Sequence, residues 1–106
     1  MKEQNDNMQS QSINIELDEK TAEGIYSNLA IISHSPAEFV VDFTRILPGV
    51  PKGKVHARIV MTPQHSKLLM HALIDNIQKF EQQYGEIKLD RNDIFPDFMG
   101  GSPKIN

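Results

Sequence analysis

The sequence has no cysteine and no tryptophan, and aromatic residues make up only 7% of it. Without cysteine there is no disulfide, no thiolate metal site and no thiol nucleophile, which fits a reducing compartment. No apolar run approaches the roughly 20 residues of a membrane span. Residues 1–12 hold no apolar stretch of the kind a signal peptide needs. The expected setting is the cytoplasm, with no membrane partner. Charge of one sign is also scarce: 11 lysines and arginines stand against 14 aspartates and glutamates, a net −3. That balance exerts no global pull on nucleic acid. A chain of 106 residues is one domain by length. Its folded part, about 75 residues, is of a size at which a single core is marginal and oligomers are common.

What the chain does contain is one strongly marked helix. Thr62 is a good N-cap, since its hydroxyl can accept an orphan N–H of the first turn. Pro63 suits the first helical position, and Gly85 stands where a left-handed residue ends a helix. Between them Ser66, Leu69, Met70, Leu73, Ile77, Phe80 and Tyr84 recur at helical spacing and share one face. Gln64, His71, Asp75, Gln78 and Gln82 take the opposite face. At 1.5 Å per residue the helix is about 33 Å long, enough to cover a small sheet.

Everything before it reads as that sheet. Residues 13–17 alternate Ile13, Asn14, Ile15, Glu16, Leu17, the pattern of a half-buried strand. Residues 18–24 are a polar break. A second strand is expected over 25–34, a third over 39–47 and a fourth over 54–61. The turn at Ser35, Pro36 and Ala37 and the loop at 48–53, with Pro48, Gly49, Pro51 and Gly53, separate them. The predicted fold is α+β: a four-stranded antiparallel sheet, a β-β-β-β-α meander, with one long C-terminal helix packed on one face. Residues 1–12 read as a disordered N-terminal arm, 13–88 as the single domain and 89–106 as a disordered tail. The core expected under the helix comprises Ile25, Leu29, Ile31, Phe39, Val41, Phe43, Val55, Ala57, Ile59 and Met61.

The second sheet face holds the candidate site. If the three-residue turn sets the register, Ala30 lies near Asp42 and Asn28 near Thr44, with Arg58 beside Asp42 and His56 beside Thr44. Asn28, Asp42, Thr44, His56 and Arg58 then form a polar island ringed by Ile32, Val40, Ile46 and Val60. A solvated face would not need such a ring, so self-association is expected there, through Ala30, Ile32, Val40, Ile46, Val60 and Leu68. The plainer reading of the island is a cross-strand ion pair that fixes register.

Several blocks of residues together resemble a known family. They are Glu23-Gly24-Ile25-Tyr26-Ser27-Asn28, Ile32-Ser33-His34-Ser35-Pro36-Ala37-Glu38-Phe39 with Asp42-Phe43, Pro63-Gln64-His65-Ser66-Lys67, and Tyr84-Gly85-Glu86. The resemblance is to a bacterial domain-of-unknown-function family, DUF3467, and covers about residues 13–88. It implies a small bacterial protein and supplies no activity, cofactor or catalytic residue.

Signatures of chemistry are weak. The run from Gly49 to Lys54 lacks the spacing of a phosphate loop, has no Ser or Thr after a lysine, and leads into a strand. His34, His56, His65 and His71 form no i, i+4 pair, so no metal and no cofactor is expected. Glu38 and Asp42 on one strand would stand about 13 Å apart, too far for a glycosidase pair. Ser33 and Ser35 flank His34 without a nucleophile-elbow pattern. Lys52, Lys54, Arg45 and Arg58 are the candidates for a basic patch, but no aromatic residues interleave them, so nucleic acid is an unfavoured partner. Ile94, Phe95, Phe98 and Met99 place bulky apolar groups in the polar tail, a candidate docking peptide.

The resulting expectation is a non-enzymatic protein-interaction module acting as a homodimer, with an unidentified protein partner. The alternatives are a holdase-like binder of unfolded or extended polypeptide and a weak nucleic-acid-associated protein.

Overall fold

The computed structural model describes residues 12–90. In chain order these form a one-turn helix α1 (Glu19–Ala22), strands β1 (Leu29–His34), β2 (Phe39–Arg45) and β3 (Lys54–Met61), and a long helix α2 (Pro63–Tyr84). The sheet is three-stranded and antiparallel, in the order β1-β2-β3. The four-stranded meander with a single helix is therefore corrected to three strands and two helices among the described residues.

The missing strand is the one expected over residues 13–17, which adopt no regular structure. Ile13, Ile15 and Leu17 are exposed, Ile15 at 92%. Alternation marks a face suited to burial, but a strand also needs a neighbour to take its backbone bonds, and this segment joins neither edge of the sheet. The polar break after it folds instead. Asp18 caps α1, its carboxylate accepting from the Thr21 N–H at 2.8 Å.

β1 begins at Leu29 rather than at Ile25 because side chains replace the ladder before it. The Asn28 backbone N–H donates to the Thr44 carbonyl at 3.1 Å. Its side-chain amide exchanges two bonds with the Ile46 backbone, each 2.9 Å. Ser27 Oγ donates to the Thr44 carbonyl at 3.0 Å. The same exchange ends β2 at Arg45, ahead of the expected Leu47, since it takes the Ile46 N–H and carbonyl.

The β1–β2 register differs from expectation by one residue. Ile31, not Ala30, faces Asp42, and Ala30 faces Phe43. The turn explains it. Ser35 Oγ accepts from the N–H groups of Ala37 and Glu38, and the Ser35 N–H donates to the Glu38 carbonyl at 2.9 Å. The connection thus spans four residues instead of three, and a one-residue slip moves every β1 side chain to the other face. Ala30, Ile32 and His34 share a face with Phe39, Val41, Phe43, Ala57, Ile59 and Met61. Leu29, Ile31 and Ser33 lie with Val40, Asp42, Arg58 and Val60. The predicted single core, which combined Leu29 and Ile31 with Val41 and Ile59, is split between the two sides.

α2 runs over the residues its caps specify. The Thr62 hydroxyl accepts from the His65 N–H at 3.1 Å, Pro63 opens the first turn, and Gly85 closes the helix at φ 103°. We expect Thr62→Ala to cost about 1 kcal/mol, read as a lower urea midpoint with an unchanged slope.

The helix does not lie over its own sheet. Its contacts are to β3, the strand it directly follows, and none of its residues is buried. Leu73, the middle of its apolar stripe, is 56% exposed. A single residue, Thr62, joins Met61 to Pro63. Thr62 is extended (φ −68°, ψ 160°) and the proline fixes the next φ, so the link has no slack with which to turn the helix back. Connections between strands and helices that pack together ordinarily span about 2–6 residues. The only buried apolar side chain among the described residues is Val41, 8% exposed, at the centre of β2, with Asp42 and Thr44 beside it.

Candidate functional site

Among the described residues the most enclosed side chain is a carboxylate, that of Asp42. Asp42 sits mid-way along the central strand, directly opposite Arg58 on β3. Arg58 reaches across with a two-pronged contact, Nε to Oδ1 at 2.7 Å and Nη2 to Oδ2 at 2.9 Å. The planar fork of guanidinium on carboxylate makes such a pair specific in geometry. Burial is unequal: the Asp42 side chain is 1% exposed and that of Arg58 57%. In a sheet with no layer over it, Asp42 is covered by its immediate neighbours rather than by depth.

The hydrogen bonds from Arg58 hold the Asp42 carboxyl below the usual carboxylate range; its positive charge adds to the effect and removal from water opposes it. The same pairing raises Arg58. Asp18 is also lowered, by the hydrogen bonds of Thr21.

Of the five residues expected in the polar island, the structure brings Asp42 and Arg58 into direct contact. Thr44 is 4% exposed and its hydroxyl donates to the Asp42 carbonyl at 3.4 Å. Asn28 is committed to the Ile46 backbone. His56 does not face Thr44. The ladder steps from Phe43–Ala57 to Thr44–Val55, and His56 is the extra, exposed residue of that irregularity.

The residues expected to form an interface do not compose one patch. Ala30 and Ile32 lie on the face of Val41, whereas Val40 and Val60 lie on the face of Asp42. Ile46 follows the end of β2, and its Cγ1 would stand 3.1 Å from a Cβ placed on Gly53. Leu68 is exposed on the side of α2 away from the stripe. The tail residues Ile94, Phe95, Phe98 and Met99 fall outside the described residues.

The histidines are dispersed. His34 stacks on Phe39, with ring centroids 5.4 Å apart. His65 supplies a backbone donor to the Thr62 cap. Among the described residues, no three His, Asp or Glu side chains converge as metal ligands, and no helix is long and apolar enough to cross a membrane. The glycine-containing loop leads into β3, with Lys54 opposite Arg45.

The surface that the sequence reading missed is the apolar stripe of α2 standing in water, with Leu69, Met70, Leu73, Ile74, Ile77, Phe80 and Tyr84 all exposed. The signal for it was present in the one-residue spacing between the last strand residue and Pro63. No curated protein and no solved structure matches the chain. The model of one family, described as protein of unknown function (DUF3467), matches residues 1–89, and the chain belongs to that family.

Proposed function

We propose that this domain is a non-enzymatic protein-interaction module that works in the cytoplasm as a homodimer and engages a further protein partner. The observation that carries the reading is the exposed stripe of α2. Seven bulky apolar side chains on about four turns of helix, with one buried apolar residue among the described residues, greatly exceed the scattered exposure of an ordinary monomer surface. The Asp42–Arg58 pair acts here as a register lock between β2 and β3, placing the apolar residues of both strands on a common face.

Sedimentation equilibrium across about 1–50 µM tests the reading. The expected result is a mass of two chains over that range; a single-chain mass at the upper end refutes it. A second reading, a binder of extended polypeptide, draws on the two open sheet edges, β1 and β3. It predicts suppressed aggregation of an unrelated unfolding protein, and no suppression at equimolar ratio rules it out.

A further inference from the structure

We infer that two copies exchange their helices, the α2 stripe of each chain covering the sheet face of the other that carries Ile32, Phe39, Val41, Phe43, Ile59 and Met61. This rests on the homodimer reading and specifies how the two chains meet. The first argument is complementarity within one sequence. The stripe lacks a sheet to cover, and the sheet lacks a cover on the face opposite Asp42. Ile32 and Ile59 flank Val41 directly in the ladder, and both are exposed. The other face also carries Leu29, Ile31, Val40 and Val60, but Asp42, Thr44 and the 57%-exposed Arg58 stand among them, which makes it the poorer seat for an apolar helix.

Shape agrees. With Leu69 and Ile74 beside the row of Met70, Leu73, Ile77, Phe80 and Tyr84, the stripe spans about 140° of the helix at 100° per residue. That is broader than the a/d seam of a two-stranded coiled coil and suits a helix laid on a surface. α2, about 33 Å long, spans the eight residues of β3, about 27 Å. The Asp75–Lys79 ion pair, 3.0 Å, lies on the side away from the stripe and stays in water.

Connectivity decides between one chain and two. The extended Thr62 followed by Pro63 keeps α2 from doubling back onto its own sheet, whereas a helix projecting from one copy meets no such limit on the next. Elements of this kind exchange at low cost between identical chains, and the closed two-fold arrangement satisfies both copies. The area is also sufficient. Seven side chains roughly half exposed offer about 100 Å² apiece, so each helix alone brings surface on the scale of the about 800 Å² per partner of a stable complex.

The test uses full-length chains in sedimentation velocity at about 20 µM, with circular dichroism as the folding control. Leu73→Glu spoils the helix stripe and Ile59→Glu spoils the sheet face. Each variant alone is expected to sediment as a monomer. An equimolar mixture is expected to regain a dimer, because the heterodimer keeps one intact helix-on-sheet contact. If the wild-type chain is itself monomeric, both this inference and the homodimer reading fall. If Leu73→Glu dissociates the dimer and Ile59→Glu does not, the helices meet each other; the exchange is refuted and the homodimer reading stands. A mixture that stays monomeric while both variants keep their folded spectra also refutes the exchange. Should either glutamate chain lose that spectrum, Leu73→Ala and Ile59→Thr replace them. Each is expected to raise the dimer Kd at least tenfold, and an unchanged Kd for Ile59→Thr overturns the inference.

Discussion

Tenfold dilution is expected to lower the thermal unfolding midpoint of this domain by about 4–5 °C. The magnitude follows from general unfolding enthalpies: about 0.7 kcal/mol per residue over residues 12–90 of two chains gives roughly 110 kcal/mol per dimer. When unfolding also separates the chains, mass action links the midpoint to concentration through that enthalpy. A chain that folds alone shows no such dependence. The expectation has a structural source. Ordering the backbone costs about 1–2 kcal/mol per residue, and the chief offsetting term is buried apolar surface. Among the described residues of one chain that term is concentrated at Val41, while α2 exposes its entire stripe. Differential scanning calorimetry at about 5, 50 and 500 µM checks it; coincident midpoints would show that the single chain is stable without a partner.

How much of this was legible in the sequence depended on whether the determinant was local. Thr62, Pro63 and Gly85 bound α2 because a capping hydroxyl, a missing N–H and a positive φ each act within one turn. The opposition of Asp42 and Arg58 across β2 and β3 was also readable, since two charges of opposite sign on facing strands have little else to do. By contrast, the β1 register turned on whether a loop held three residues or four. The Ser35 hydroxyl decided that by gathering two N–H groups, a choice that composition alone does not report.

A hydrophobic pattern does not carry its partner with it. The alternation at Ile13, Ile15 and Leu17 and the stripe on α2 both describe surfaces fit for burial. Neither says where the covering surface is. In one case no strand edge of the chain comes alongside, and in the other a one-residue link bars the obvious sheet. Hydrophobic periodicity therefore identified what must be covered, and connectivity decided that the cover does not come from the same chain's α2. Ala30, Ile32, Val40 and Val60, expected to share one face, are divided between the two faces for a related reason, since that grouping depended on the β1–β2 register.

The Asp42–Arg58 pair supplies the second large effect, and its two partners are expected to respond unequally to mutation. The folded-state pKa of Asp42 is below its unfolded value, which is about 3.9. The stabilisation is thus fully present above that unfolded value and is lost as pH falls through the lowered folded one. The wild-type urea midpoint should accordingly drop on acidification below about pH 4, and Asp42→Asn should reduce that drop, leaving the share of Asp18. In Asp42→Asn, Arg58 is left without its partner but is 57% exposed and turns to water. In Arg58→Ala, the carboxylate, 1% exposed in the wild-type chain, loses both of its donors. Arg58→Ala should therefore be the more destabilising change at neutral pH, the mark of an unpaired enclosed charge. Its pH dependence should also weaken. With the hydrogen bonds and the charge of Arg58 gone, the causes that lower the Asp42 carboxyl are removed, so acidification no longer withdraws the stabilisation that Asp42 supplies in the wild type. Urea titrations of the three chains at pH 3, 5 and 7 decide the matter: equal losses at pH 7, or an Arg58→Ala profile parallel to wild type, would show that water reaches Asp42 freely.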